Sequence, residues 1–283
     1  MTVNLQFLGA AGTVTGSRFL LRVNGRHYLI DCGLFQGGRQ NKEANWQPFP
    51  IQPDQIDAII LTHAHIDHTG YLPRLVQQGF SGPIYASEAT CALLDILLPD
   101  SAHLNEQDAA YANKKGYGKH KPALPLYTTA DAQETLRLLC PVLFHKPLCL
   151  DDVEVIWQPA GHLLGSAIVQ VNLKGADGPH RLVFSGDLGR YDGVIMKPPT
   201  SITTADTLIV ESTYGGRRHS DDDIEAILTE VLDYIIANEG VLLIPAFAVG
   251  RTQQVLYHLR RLQDAGRVPE IPIFIDSPMA VEA

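Results

Sequence analysis

Four side chains that can bind metal ions lie within six residues, between His63 and His68. The segment reads His-Ala-His-Ile-Asp-His and follows the apolar run 59–61. This run predicts a short buried strand, and a loop after a strand end can turn all four side chains toward one point. Imidazole and carboxylate together are typical of sites for one zinc ion or a pair of zinc ions. His63, His65, Asp67 and His68 are therefore predicted metal ligands.

Three other places repeat one pattern: an apolar strand next to a His or Asp, with Gly close by. Asp31 ends one predicted strand, Asp187 follows another, and His162 lies in a Gly-bounded turn before a third. Each alone is weak evidence, since Gly-Asp-Xaa-Gly is most often a turn. Strand ends that meet at one edge of a sheet, however, give a site rigid support.

The residue types indicate hydrolysis. Two metal ions about 3.5–4 Å apart need several nitrogen ligands and a carboxylate that bridges them. Water bound to such ions has a pKa of about 7 and becomes a hydroxide nucleophile. An acid that is not a ligand, such as Asp31, can orient a histidine or hold that water.

Apolar runs and turn residues predict the elements that position these side chains. Helices are expected at 70–78 and 130–139. Another is expected to begin after a cap at Ser87 and to end at Leu98, because Pro99 follows. The polar segment 101–120 is expected to form a helix followed by a mobile loop. Strands are predicted at 3–8, 19–23, 28–31, 58–61, 153–158, 167–173, 181–184 and 207–211.

The last seventy residues show a different order of predicted helices and strands. Helices and strands are predicted to alternate there, which is typical of a parallel sheet. The predicted elements are a helix at 221–238 with Ser220 as its cap, a strand at 241–245, a helix at 250–265 and a strand at 271–276. The change near residue 212 predicts two domains, 1–212 and 213–283.

Composition limits the class of protein. With 283 residues, 45% hydrophobic and 19% charged, the chain is typical of a globular protein. No apolar run reaches 18 residues and the N-terminus lacks a basic region, so neither a membrane span nor a signal peptide is predicted. Four scattered cysteines indicate reduced thiols in the cytoplasm. The net charge of −9 argues against nucleic-acid binding over the whole surface but leaves a local basic groove open.

The order His63-Xaa-His65-Xaa-Asp67-His68, then His162, then Asp187 resembles the metallo-β-lactamase superfamily. The resemblance implies an αββα sandwich of two packed sheets and a centre for two zinc ions. The ligands that it implies are His63, His65 and His162 for one zinc, Asp67 and His68 for the second, and Asp187 as the bridge. Asp31 matches the first motif of the family.

A second resemblance is to the β-CASP nucleases, which include the pre-mRNA 3′-end processing endonuclease. The segments that carry it are Glu211-Ser-Thr-Tyr-Gly215, 245–253 and 276–280. It implies an α/β β-CASP domain after the sandwich and zinc-dependent hydrolysis of RNA phosphodiester bonds, by an endonuclease or a 5′-exonuclease. The implied catalytic residues are Asp31, Asp67, Asp187 and Glu211.

In that family the chain returns to the lactamase fold after the β-CASP domain, and the later part carries two more histidines. Since this sequence ends at Ala283, we expect a C-terminally truncated protein with an incomplete second zinc site. Glu211 would orient one of those later histidines.

Candidate substrate contacts lie in the last seventy residues. Arg251 opens a predicted helix, where phosphate is favoured, and a guanidinium can hold phosphate with two hydrogen bonds. Arg217 and His219 form a basic loop, and Ser277 follows the last predicted strand. For Arg217, His219 and Arg251, the alternative is a solvent-exposed side chain with no ligand.

Two other functions stay open. A small-molecule hydrolase, such as a thioesterase or lactonase, could use the same zinc site, although the segment after Glu211 argues against it. A noncatalytic scaffold that binds RNA is the alternative from a different class. A homodimer is also left open.

Overall fold

The structure is a computed structural model that describes residues 2–117, 121–175, 178–218, 220 and 222–283, arranged in two compact units. The first unit runs to Asp192 and includes Lys197–Glu211. The second unit holds Gly193–Met196 and Ser212–Ala283. The domain boundary predicted between residues 212 and 213 stays a prediction.

Two β-sheets form the first unit. The first sheet has the order β1-β2-β3-β4-β5-β6, antiparallel from β1 to β3 and parallel from β3 to β6. Its strands are β1 Val3–Phe7, β2 Phe19–Val23, β3 Arg26–Ile30, β4 Ala58–Ile60, β5 Ile84–Ser87 and β6 Leu139–Val142. The second sheet has the order β11-β10-β9-β8-β7, with only β10 and β11 parallel. Its strands are β7 Leu148–Leu150, β8 Val153–Pro159, β9 Ala167–Gly175, β10 Gly178–Phe184 and β11 Thr207–Ile209.

The sheets pack face to face through alternate side chains of their strands. From the first sheet, Leu21, Ile30 and Ile60 enter a shared core with Trp157 and Val169 of the second. Trp157 is fully buried, and its Nε1 donates to the carbonyl oxygen of Leu61 at 2.9 Å. This bond satisfies a polar group inside the core and connects β8 to the segment that leads into His63.

The first unit also contains five helices in its described part. They are α1 Arg39–Ala44, α2 Ile66–Thr69, α3 Leu72–Gln77, α4 Glu88–Lys115 and α5 Thr129–Leu136. The long α4 packs on β5, β6 and α5. The predicted fold class, mixed α/β with two packed sheets, is confirmed.

The prediction that Pro99 ends a helix is wrong. A proline inside a helix loses one backbone hydrogen bond and crowds the preceding turn. Helix α4 nevertheless continues past Pro99 to Lys115, since Leu94, Leu98 and Ala102 are all fully buried along it. Burial of this apolar stripe outweighs the local cost.

The second unit contains three helices in its described part: α6 Ile224–Ala237, α7 Arg251–Asp264 and α8 Pro278–Glu282. Its core joins Leu232 of α6 to Leu259 and Leu262 of α7. The cap of α6 is Asp223, whose side chain accepts from two backbone N–H groups, and not Ser220 as predicted.

The strands predicted at 241–245 and 271–276 are not strands in the structure. Their residues pair with no other strand in the part of the chain that is described. A strand needs the hydrogen-bond ladder of a neighbour, so apolar sequence alone does not form one. Val241, Leu243 and Phe274 are accordingly exposed.

No helix within the described ranges combines the length and apolar character needed to cross a membrane.

Candidate metal centre

The first group of predicted ligands lies where β4 leads into α2. His63 and His65 belong to the connecting loop, and Asp67 and His68 form part of the single turn of α2. Backbone bonds hold this turn on the neighbouring loops. Ser17 N donates to Asp67 O at 2.8 Å, and Cys32 N donates to His68 O at 2.7 Å.

Four ligand atoms from three separate segments converge beside this loop. The nitrogen pairs are His63 Nε2–His65 Nδ1 at 3.1 Å and His65 Nδ1–His162 Nε2 at 3.2 Å. Asp187 Oδ2 lies 3.8 Å from His63 Nε2 and 3.5 Å from His162 Nε2. All four atoms lie within 4.8 Å of one another. A tetrahedral ion about 2.0–2.1 Å from each ligand requires edges of roughly 3.3–3.4 Å, so this donor set fits one such ion.

Asp187 also faces the second group of predicted ligands, Asp67 and His68, through its other oxygen. Asp187 Oδ1 lies 3.2 Å from His68 Nε2, and Asp67 Oδ2 lies 4.0 Å from the same nitrogen. The two oxygens of Asp187 therefore point to two adjacent clusters, as a bridging carboxylate requires.

Asp31 orients His68 from behind. Its buried carboxylate accepts from His68 Nδ1 at 2.7 Å and from the backbone N of Thr62 at 2.8 Å. The hydroxyl of Thr62 donates to it at 2.9 Å. With Nδ1 as the donor to Asp31, His68 turns its other ring nitrogen, Nε2, toward Asp187, which is the arrangement seen for metal-binding histidines held by a carboxylate.

Ser166, Ser87 and Thr90 hold the loop of His162. Ser166 Oγ accepts from His162 N at 2.9 Å. Ser87 Oγ and Thr90 Oγ1 donate to the carbonyl of Gly165 at 2.7 and 3.0 Å. Ser87 is also the N-cap of α4, accepting from Thr90 N. The sequence indicated that cap, but a bond to a residue 78 positions away left no signal in it.

Glu211 holds the loop that carries Asp187. Its Oε1 accepts from Leu188 N at 3.0 Å, and its own N donates to Ser185 Oγ at 3.0 Å. Gly189 N donates to Ala160 O at 2.9 Å, which ties the same loop to the one that carries His162.

Three histidines of the cluster are held neutral. Burial lowers the pKa of His63 far below its usual value, and the other histidines lower it further. Burial, with a smaller effect of His162, lowers the pKa of His65 to about 4. Burial also lowers the pKa of His162. Neutral imidazoles offer a lone pair, which a metal ligand requires.

In the second group, Asp67 and His68, the pKa of the histidine is raised and not lowered. Burial alone would lower the pKa of His68, but Asp31 and Asp187 raise it to about 10. Burial would raise the pKa of Asp187, but the hydrogen bond from His68 and the nearby histidines lower it. Burial raises the pKa of Asp67. A cation at His68 balances these acids in the metal-free protein.

The predicted substrate contacts belong to the second unit. Arg217 and Arg251 are exposed, and Arg251 is the first residue of α7. Ser277 caps α8, since its Oγ accepts from Ala280 N at 3.2 Å. His219 lies outside the described residues. A role in substrate binding stays a prediction for all four.

Known proteins show the relationship of this chain. The family model described as the metallo-beta-lactamase superfamily matches residues 11–246. A ribonuclease of Thermus thermophilus is 38% identical over 96% of this chain and 58% of its own length. Transcription termination factor FttA of Methanosarcina mazei is 32% identical over 97% of this chain and 42% of its own length. The chain thus spans about half the length of these relatives.

Among solved structures, a subclass B3 metallo-β-lactamase of Bradyrhizobium japonicum matches with a TM-score of 0.40 and 18% identity. The match covers 64% of this chain and 59% of that one. The matched residues include all of the predicted ligands, and the family predicted from the sequence motifs is confirmed. The chain belongs to the metallo-β-lactamase superfamily.

Proposed function

We propose that this chain carries the two-zinc centre of an RNA-processing ribonuclease. The observation that supports this most is the position of Asp187, whose two oxygens face His162 and His68 at 3.5 and 3.2 Å. A carboxylate shared between two groups of metal-binding side chains is expected for a binuclear hydrolase.

Zinc suits the donor set. Imidazole nitrogens with few carboxylates favour zinc over magnesium or calcium, which prefer oxygen ligands. In the proposal the first ion is held by His63, His65 and His162. The second ion is held by Asp67 and His68, and Asp187 contacts both.

When bound, the ions would supply a nucleophile from water at neutral pH and neutralise the charge of the scissile phosphate. The chain supplies the orientation. Asp31 keeps the proton of His68 on Nδ1, and Glu211 keeps the backbone beside Asp187 in place. Glu211 therefore positions Asp187 here, a role in addition to the one that the resemblance implied.

RNA is the proposed substrate. Support comes from the relatives, one named as a ribonuclease and one as a transcription termination factor. The β-CASP-like segment that begins at Glu211 adds to it. Arg217, His219, Arg251 and Ser277 are proposed phosphate contacts. The four cysteines are free thiols, which supports the proposed cytoplasmic location.

Zinc content and RNA cleavage test the proposal together. We expect one tightly bound zinc ion for each chain and a second that binds less tightly, because Asp67 and His68 with Asp187 supply fewer ligands. We also expect metal-dependent cleavage of single-stranded RNA. Asp187→Asn should lose zinc and at least a hundredfold in rate, since it removes the shared ligand. Asp192→Asn is the matched control, because Asp192 is exposed and forms its ion pair with Arg190, at 2.7 Å, away from the cluster.

Full cleavage by Asp187→Asn would contradict the two-metal centre. Hydrolysis of a nitrophenyl ester without cleavage of RNA would indicate the small-molecule hydrolase instead. Zinc content near zero, in protein purified without chelator, would indicate the scaffold.

A further inference from the structure

Lysine is concentrated in one short segment of this acidic chain. Four of its eight lysines lie between residues 114 and 121, although the net charge is −9. Tyr117 lies within the same segment, and Tyr111 lies three residues before it. The metal centre uses none of these residues.

The C-terminal end of α4 brings these side chains together. Tyr111, Lys114 and Lys115 are spaced i, i+3 and i+4, so they share one face of the helix. Lys115 Nζ lies 5.8 Å from the centre of the Tyr111 ring. The rings of Tyr111 and Tyr117 meet edge to face, with centroids 6.1 Å apart.

Lys121 is held near the same helix end. Asn113 donates from Nδ2 to the carbonyl of Ala123 at 2.9 Å and accepts from Ala123 N at 2.7 Å through Oδ1. These two bonds fix the chain two residues after Lys121. We call Tyr111, Lys114, Lys115, Tyr117 and Lys121 the Lys–Tyr patch.

The patch is accessible and carries an excess of positive charge. Tyr111 and Tyr117 are 54% and 58% exposed. Within the described residues, the lysines of the patch form no ion pair with a carboxylate. Asp108 lies one turn before Tyr111 on the same helix, which leaves three positive charges against one negative charge.

Helix capping explains part of this arrangement. Gly116 adopts a left-handed conformation, Tyr117 N donates to Ala112 O and Gly116 N donates to Asn113 O, which together form a Schellman motif. Such a motif is often closed by an apolar contact like that of Tyr117 with Tyr111. Any apolar pair would make that contact, so capping does not explain the aromatic rings. Lys114 and Lys115 lie in the last turn, where the helix dipole favours positive charge. Lys121 lies beyond the helix, and the dipole does not explain it.

We propose that the Lys–Tyr patch is a binding site for single-stranded RNA, separate from the metal centre. Lysines neutralise phosphates, and exposed aromatic rings stack on unpaired bases of any sequence. The identity of the ligand as RNA rests on the proposed function, whereas the site itself does not need catalysis.

The length of α4 gives the patch a specific role. Its 28 residues extend for about 42 Å at 1.5 Å for each residue. The first turn contacts the loop of His162 through Ser87 and Gly165, and the last turn carries the patch. The patch therefore holds a part of the RNA that is distant from the cleaved bond, so long substrates gain affinity and short ones do not.

Binding is measured on protein stripped of metal with EDTA, so that cleavage cannot interfere. The probe is a fluorescent unstructured RNA of about 20 nucleotides, which is longer than the sites of about 4–16 nucleotides that single OB-fold domains bind. The lysine variant changes Lys114, Lys115 and Lys121 to Gln. We expect roughly tenfold weaker binding at low salt. The slope of the logarithm of the binding constant against the logarithm of the salt concentration should become shallower by about two, since each lost phosphate contact contributes about 0.7.

The control variant changes Lys42, Lys146 and Lys174 to Gln, which are exposed lysines elsewhere with the same total charge. Equal weakening by both triple variants would overturn the proposal, because it would show an effect of net charge alone. Circular dichroism verifies that each variant is folded.

A second variant tests the tyrosines. Tyr111→Leu with Tyr117→Leu keeps an apolar contact for the helix end but removes the ring faces. We expect about tenfold weaker RNA binding with the same melting temperature. Unchanged binding would reduce the tyrosines to a capping role and overturn the stacking site.

Other anionic ligands complete the test. Tighter binding of duplex RNA, or of vesicles of anionic lipid, than of the single strand would also overturn the proposal. Absence of RNA cleavage with patch-dependent RNA binding would defeat the proposed function and leave the patch. If the protein cleaves RNA but none of the patch variants weakens RNA binding, the proposed function would stand and the patch proposal would fail.

Discussion

The carboxylate of Asp31 accepts a hydrogen bond from His68 Nδ1 at 2.7 Å, while His68 Nε2 lies 3.2 Å from Asp187. Asp31 adopts a left-handed backbone conformation with φ of 56°, which Asp tolerates better than most residues. Asp31 and His68 are both buried. The geometry of the second ligand group thus depends on a residue that need not touch a metal ion.

Asp31→Asn should weaken the second zinc site. An amide in place of the carboxylate turns a donor toward the Nδ1 proton, so His68 loses its orientation. Loss of such a supporting carboxylate costs about 10–100-fold in metal affinity. Competition with a zinc chelator measures both sites, and the site of His63, His65 and His162 should change less.

Asp57→Asn is the control for that change. Asp57 accepts a 2.7 Å hydrogen bond from His27 N, away from the metal centre. Equal zinc affinities for Asp31→Asn and the wild type would show that Asp31 does not orient His68.

Thr90→Val should loosen the first zinc site. The hydroxyl of Thr90 donates to Gly165 O in the loop of His162, and valine has the same shape without the donor. Loss of one hydrogen bond costs about 0.5–1.5 kcal/mol while Ser87 still donates to Gly165 O, and we expect it as reduced stability and up to roughly tenfold weaker binding of one zinc ion. Thermal unfolding and zinc competition give the two values.

Thr135→Val is the matched control for Thr90. Thr135 is also fully buried, and its hydroxyl donates to Asp131 O at 2.8 Å within α5. It should lose stability but bind zinc normally. A loss of zinc affinity in both variants would indicate general destabilisation.

Gly165→Ala should be more damaging than a left-handed glycine usually is. A Cβ at Gly165 would lie 2.5 Å from Thr90 N and 2.7 Å from Ser87 Oγ, and its φ is +80°. Gly25 has a φ of +86° with open space around it. Gly25→Ala should therefore cost about 1–2 kcal/mol for the backbone alone. Gly165→Ala should cost more and reduce zinc binding, and equal melting temperatures would refute the clash.

Acid should destabilise the metal-free first unit. The pKa of His65 is about 4 in the folded state, below its ordinary value of 6.5, because of burial and His162. Between these values the unfolded chain binds more protons, so stability rises with pH and is lost as pH falls from about 6.5 toward 4. His68 acts oppositely: its raised pKa stabilises the fold below about 6.5, and that gain is lost as pH rises through about 10.

Urea unfolding of EDTA-treated protein measures this dependence. Both tryptophans, Trp46 and Trp157, lie in the first unit, so their fluorescence reports on that unit. The urea midpoint should fall between pH 6.5 and 4.5. His65→Gln removes one titrating group and should flatten the fall. An identical pH dependence in the variant would mean that His65 does not titrate as described.

Several parts of the fold could be predicted because they depend on local pattern. Alternating or continuous apolar runs predicted β2, β8, β9 and α7 within about two residues. Short elements with little pattern, such as α1 and β7, were missed. Pro99 misled because burial along α4 outweighs a local penalty. The runs 241–245 and 271–276 misled because strand formation depends on a partner that sequence pattern does not reveal.

The sequence by itself determined which side chains could bind metal, since four of them are neighbours in the chain and the others stand at strand ends. Only the tertiary structure decided how they meet. The bonds of Asp31 with His68, of Ser87 with Gly165 and of Glu211 with Leu188 join residues 37, 78 and 23 positions apart. Such bonds depend on how the strands and the long helix pack, and local residue pattern carries no record of that packing.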